Sequence, residues 1–214
     1  MRIRILLLKI GVVGFTLLLS TVGCSRSSGS TAFVDSFDAP GTGWGSDEQD
    51  AFSRGFEEDA YIFELTSPNW FAWATPGKRF SDVTIEADIR LQAGSAEEHF
   101  GLLCRYVDED NFYYLGISAD GYYGIYRRIQ GGDLEALTGD GEGMLPSPFI
   151  RTGLAANEIE ILCEEDQLSL SVNGNLLATV GDDTLTEGDV GLAVGSGDRV
   201  PATIAFDNFI ASQP

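Results

Sequence analysis

The chain has 214 residues, 43% of them hydrophobic, and sets 33 acidic residues against 13 basic ones for a net charge of −20 at pH 7. That length suits one large β domain or two small ones, and the acid excess argues against a nucleic-acid partner, because binding to polyanions depends on clustered Lys and Arg. The acids are spread through loop-like stretches (Asp47, Glu48 and Asp50; Glu57 to Asp59; Asp108 to Asp110) and read as a solvated surface rather than a dedicated cation store.

At the N-terminus, Arg2, Arg4 and Lys9 precede an apolar run from Ile10 to Leu19 and then Ser20-Thr21-Val22-Gly23-Cys24, the layout of a secretory signal with a small residue before its cleavage point. Thr21-Val22-Gly23-Cys24 resembles a lipobox, whose Cys is lipidated before the peptide is cut ahead of it; it departs from that motif at Thr21, where Leu is commoner. The alternative is a transmembrane anchor, but the 13 uncharged residues from Ile10 to Val22 fall short of the roughly 20 that cross a bilayer core. Residues 1–23 are therefore expected to be a signal peptide, and 24–31 a lipidated Cys24 followed by a flexible polar tether. The chain is then exported and membrane-anchored, and the tether of seven residues after Cys24 keeps the domain within about 25 Å of the membrane.

From residue 32 to 214 the pattern is one domain of short alternating segments broken by Gly, Asp and Asn, with no sustained helical period. Strands are expected near 33–38, 60–65, 83–91, 99–106, 112–118, 122–129, 158–164, 167–173, 175–180, 189–194 and 203–210. Asp120-Gly121 and Asn173-Gly174 mark tight turns, since both dipeptides tolerate positive φ. About eleven strands without helices imply an all-β fold of two stacked antiparallel sheets.

The segments Phe100-Gly101-Leu102-Leu103-Cys104-Arg105-Tyr106, Asn111-Phe112-Tyr113-Tyr114, Asp120-Gly121-Tyr122-Tyr123, Val172-Asn173-Gly174, Gly188-Asp189-Val190-Gly191-Leu192 and Phe206-Asp207-Asn208-Phe209 together resemble the concanavalin A-like jelly roll of the LamG and DUF1080 (3-keto-disaccharide hydrolase) type. The resemblance runs from about residue 33 to 211 and implies a jelly-roll sandwich of the lectin/glucanase kind. That superfamily holds glycan-binding modules, glycoside hydrolases and protein-binding modules, so it does not choose among them.

With Cys24 lipidated, Cys104 and Cys163 are the remaining pair, in a compartment where disulfides persist. Strand parity points both into the core. They are either bonded or two separate buried thiols, and a bond is the expectation.

Parity also outlines a candidate face. With Ile85, Ala87, Ile89 and Leu91 inward, Glu86, Asp88 and Arg90 turn out; by the same alternation His99, Gly101, Leu103 and Arg105, then Phe112, Tyr114, Gly116 and Ser118, then Tyr122, Gly124, Tyr126 and Arg128 turn out. Three glycines on consecutive strands suggest a shallow floor, with tyrosines able to stack on sugar rings and charged groups able to bond hydroxyls. His99, Arg105, Tyr114, Tyr122, Tyr126 and Arg128 are the candidate ligand-binding residues; the alternative is an ordinary solvent-facing sheet. Trp70 and Trp73 either extend this face as a loop platform or belong to the core.

Catalytic signals are thin. Glu86-Ala87-Asp88-Ile89-Arg90 resembles the Glu-x-Asp-x-Glu strand of laminarinase-like glycosidases, but Arg90 stands where the second acid would be, leaving Glu86 and Asp88 without a proton donor for the leaving group. Jelly rolls of this type often hold a structural calcium where first and last strands meet, which makes Asp35, Asp38 and Asp207 candidate ligands; turn capping is the plainer role for them. The leading expectation is a non-catalytic module that binds a glycan or another cell-envelope component. The alternatives are a glycoside hydrolase on the same concave face and a protein-interaction or envelope-structural domain.

Overall fold

The computed structural model describes residues 32–141 and 143–214. The expected signal peptide, the tether and Cys24 lie outside the described residues. Seventeen strands and no helix are found among them. In chain order they are β1 (Ala32–Asp35), β2 (Asp47–Glu48), β3 (Phe52–Glu57), β4 (Ala60–Leu65), β5 (Phe71–Ala74), β6 (Arg79–Phe80), β7 (Val83–Ala93), β8 (His99–Asp108) and β9 (Asn111–Ser118). There follow β10 (Tyr122–Arg128), β11 (Glu135–Ala136), β12 (Leu145–Pro146), β13 (Asn157–Glu164), β14 (Gln167–Val172), β15 (Asn175–Gly181), β16 (Gly188–Gly195) and β17 (Ala202–Ser212).

These strands form two antiparallel sheets. The first runs β15-β14-β13-β7-β17-β4-β3-β2, with β1 also paired to β17. The second runs β11-β10-β9-β8-β16-β5, with β12 on β10 and β6 on β16. All eleven expected strands are present; β2, β3, β5, β6, β11 and β12 are additional.

The alternation in β7 shows why the sheets stack. Val83, Ile85, Ala87, Ile89 and Leu91 are buried, while Thr84, Glu86, Asp88 and Arg90 between them are not. They meet Phe100, Leu102 and Cys104 of β8 and Tyr113, Leu115 and Ile117 of β9 in one core. Burying each large aliphatic side chain contributes about 1.5–3 kcal/mol, enough in sum to offset the entropy of ordering so many short strands. Cys104 of the second sheet is bonded to Cys163 of the first, 59 residues apart in sequence, so a covalent link crosses the core between the layers.

The turns follow their residues. Asn173 and Gly174 both have positive φ, 51° and 74°, and close a two-residue hairpin in which Val172 faces Asn175. Between β9 and β10 only Gly121 takes positive φ, at 100°, and Ser118 Oγ bonds Asp120 to brace that corner.

Candidate functional site

The outer face of the second sheet is where chemistry gathers. Cross-strand register sets Gly124, Gly116, Gly101, Ala193 and Trp73 in one row over β10, β9, β8, β16 and β5. Four of these five residues carry no more than a methyl group. The glycine row is present, but it is not an open floor, because neighbouring aromatic rings lie down into the space. A Cβ on Gly116 would collide with the Tyr114 ring, one on Gly124 with Tyr126, and one on Gly195 with His99.

The rings form a continuous layer. Phe71 meets Tyr114 edge-on at 5.2 Å and lies parallel to His99 at 6.1 Å; Trp73 lies 6.2 Å from Tyr106 and from Phe112; Tyr114 stacks on Tyr126 at 5.8 Å. Two hydrogen bonds fix it: Trp73 Nε1 donates to the Tyr106 hydroxyl at 3.0 Å, and His99 Nδ1 and the Tyr114 hydroxyl are 3.1 Å apart. Tyr114 and Phe112 are fully buried, whereas Phe71, Trp73, Tyr106 and Tyr126 keep part of their rings in solvent. Burial lowers the His99 pKa to about 4, so the imidazole is neutral at physiological pH, and burial pushes the Tyr114 hydroxyl well above the ordinary tyrosine value.

A cleft opens at the β5 margin, where this sheet's edge meets the β2–β3 edge of the first sheet. Its volume is about 260 Å³, and its walls include Trp70, Phe71, Trp73 and Phe52 on the apolar side and Asp47, Gln49, Arg54 and Glu109 on the polar side. Trp70 is 42% exposed. Gln49 Nε2 donates to Asp47 Oδ2 at 2.8 Å, and Arg54 lies 3.9 Å from the same oxygen with its guanidinium over the Phe52 ring. Burial, and after it the charges of Glu109, Asp108 and Asp189, hold the Tyr106 hydroxyl above its usual pKa.

Four residues lie elsewhere than expected. Glu86 and Asp88 do turn outward, but from β7 in the first sheet, so they lie on the opposite side of the sandwich from His99 and the tyrosines. There they face Glu160, Glu158 and Asp207 across strands, and burial, then Glu160 and Glu158, raise the Glu86 pKa. Arg105 does not face solvent: a bulge with φ 51° at this residue resets the alternation, and the side chain is 1% exposed. Its guanidinium donates to the carbonyls of Ser81, Leu185 and Glu165 and lies 3.4 Å from Asp82 Oδ1, clamping three loops to β8. Tyr122, 39% exposed, stands apart from the aromatic layer beside Pro146 and Pro148.

Arg128 borders the layer on the β10 side, half-buried, with its Nε unpartnered. Four strand spacings, about 19 Å, separate it from β5. Of the three calcium candidates, Asp35 accepts from Phe37 N and Trp44 Nε1, Asp38 from Ser36 Oγ, and Asp207 from Asn208 N. Among the described residues, no group of three or more His, Cys, Asp or Glu is placed to hold a metal ion. The residues that sequence reading missed are Phe71, Asp47, Gln49, Arg54 and Glu109, which come together only through β2, β3, β5 and the β8–β9 turn.

No family model and no curated protein matches the chain. Solved structures do. The carbohydrate-binding module CBM66 from Bacillus subtilis superposes with a TM-score of 0.62 at 20% identity, covering 80% of this chain and 96% of that one. The fold is the concanavalin A-like jelly roll. A Bacillus subtilis protein with a galectin-like fold matches at 0.61 and 13% identity over 85% and 94% of the two chains. The catalytic domain of an endo-1,3-beta-glucanase (laminarinase) from Thermotoga petrophila matches this jelly roll at 0.58 and 10% identity over 86% and 98%.

Proposed function

We propose that the chain is an exported lipoprotein, anchored through Cys24, whose jelly roll binds carbohydrate without cleaving it, using the aromatic face of the second sheet and the cleft at its β5 margin. The observation that carries this reading is the cleft itself: part-exposed Trp70, Phe71 and Trp73 beside Asp47, Gln49, Arg54 and Glu109. Sugar rings present apolar C–H faces that stack on aromatic rings and hydroxyls that bond charged and amide groups, so this mixture suits them. The likeness to a carbohydrate-binding module adds support, and so do the segments that resemble the LamG and DUF1080 type. Against hydrolysis, Glu86 and Asp88 sit on the opposite sheet from the aromatic face. One stacked sugar contributes about 1 kcal/mol, so single-site binding is weak and many tethered copies would act by avidity.

The test is a glycan screen of the full-length wild type, Trp73→Ala and Glu86→Gln, reading both binding and sugar release. Binding lost in Trp73→Ala and kept in Glu86→Gln, with no product from any of the three, is expected. Product from wild type that vanishes in Glu86→Gln would establish the hydrolase reading instead. No glycan binding at all would leave a protein-interaction or envelope-structural role. For the anchor, metabolic lipid labelling should mark wild type and not Cys24→Ser, and equal labelling of both would remove the assignment.

A further inference from the structure

The β5 cleft has an electrostatic sign. Its apolar wall is built from the rings of Trp70, Phe71 and Trp73, aromatic groups whose π faces attract cations, and its polar wall carries two carboxylates, Asp47 and Glu109, against one guanidinium, Arg54. Arg54 lies over Phe52 at 5.9 Å and pairs with Asp47 at 3.9 Å, with 23% of its side chain exposed and its buried Nε without a hydrogen-bond partner, so its charge is held at the Asp47 side of the cleft. Glu109 forms no ion pair among the described residues. Trp73 spends its only donor on Tyr106, so it offers a ligand its ring alone. Arg128, the base bordering the same face, lies at the far margin on β10.

From this geometry we infer that the cleft selects a sugar bearing a protonated amine, such as a glucosamine unit, over neutral and anionic sugars. The inference rests on the carbohydrate reading of the same face. The sugar's C–H face stacks on Trp70 or Trp73 while its ammonium group lies between the aromatic rings and the unpaired Glu109 carboxylate. A neutral sugar makes the stacking contact and forgoes the charge. A uronate meets the same carboxylates with the wrong sign, in a chain whose net charge is already −20.

Calorimetric titration of the full-length protein at about pH 6, where such an amine holds its proton, would compare β-1,4-linked tetramers of glucosamine, N-acetylglucosamine and glucose, with tetralysine as a charge-only probe. The glucosamine tetramer should bind roughly tenfold tighter than the other two sugars, with the gap narrowing in high salt. Glu109→Gln, at an exposed hairpin tip that tolerates the change, should weaken the glucosamine tetramer about threefold more than it weakens the glucose tetramer. Trp70→Ala should weaken all three sugars. Equal affinity for the three sugars, unchanged in Glu109→Gln, would overturn cation selection while the carbohydrate reading stands. Tetralysine bound as tightly as the glucosamine tetramer would overturn the sugar class. No binding of any tetramer, with other glycans bound in the screen, would overturn the inference, and no glycan bound anywhere would take down both readings.

Discussion

The ring of Tyr114 lies across Gly116, filling the space that a side chain at residue 116 would occupy. Gly116 sits between Gly101 and Gly124 in register, and Tyr126 covers Gly124 in the same way. The glycines therefore serve close packing of a second aromatic layer outside the sheet. What stays accessible to solvent is the part-exposed upper surface and the β5 margin of that layer.

Gly116→Ala should consequently destabilise the fold by about 2–4 kcal/mol, because the buried Tyr114 ring and the Phe100 carbonyl both stand in the way of the new methyl group. Gly181→Ala, where the nearest atom would be 3.8 Å away, should change stability by less than about 1 kcal/mol. Denaturant unfolding of the two variants checks the contrast. Equal midpoints would mean that Tyr114 swings aside freely.

His99 should impose a pH dependence. Its folded pKa of about 4 lies below the ordinary value of 6.5 because burial disfavours the charged ring. Below pH 6.5 the unfolded chain takes up a proton that the folded chain refuses until about pH 4. The contribution of His99 is thus complete above pH 6.5 and is lost as pH falls towards 4, on the order of 3 kcal/mol in all. Unfolding free energies of wild type and His99→Phe, measured from pH 7.5 to 4, should converge by that amount across this window. Parallel curves would show that His99 titrates normally.

Much of this was legible in the sequence, and the losses have particular causes. The Val83–Leu91 alternation announced β7 because one face is buried and the other is not, and Asn173-Gly174 announced its hairpin because it tolerates positive φ. With Cys24 set aside, the shared inward parity of Cys104 and Cys163 made their bond the expectation, and the bond is present. Parity says that a residue turns outward but not from which sheet, and that is how Glu86 and Asp88 were grouped with the tyrosines. The bulge at Arg105 has no marker, since nothing in an arginine foretells φ of 51°. The β5 strand did leave a trace: Phe71-Ala72-Trp73-Ala74 alternates large and small with period two, but over only four residues, after Pro68 and Asn69. Its pairing with β16 next to β2–β3 is a long-range fact that builds the cleft and that no local pattern contains.

The Cys104–Cys163 bond closes a loop of 59 residues between the two sheets, and its loss should cost about 4 kcal/mol in the chain-entropy view. Cys104→Ala/Cys163→Ala, unfolded by heat beside wild type with and without reductant, should show a lower midpoint that reductant no longer moves. A wild-type midpoint insensitive to full reduction would show that the layers hold without the bond.

Arg105 separates a structural role from a ligand-binding one. Its buried guanidinium satisfies the carbonyls of Ser81, Leu185 and Glu165 and pairs with Asp82, so Arg105→Met would leave three acceptors without their donor in a dry site. The expected loss is about 3–5 kcal/mol of stability. Because the side chain reaches none of the aromatic layer, whatever fraction of Arg105→Met remains folded at low temperature should bind glycan with wild-type affinity, whereas Trp73→Ala should keep its stability within about 2 kcal/mol and lose binding. Measuring unfolding and binding on both variants gives two opposite patterns. If Arg105→Met kept full stability and lost binding, the side chain would have to leave its carbonyl clamp and reach the face, and the assignment of Arg105 to the frame of the sandwich would be wrong.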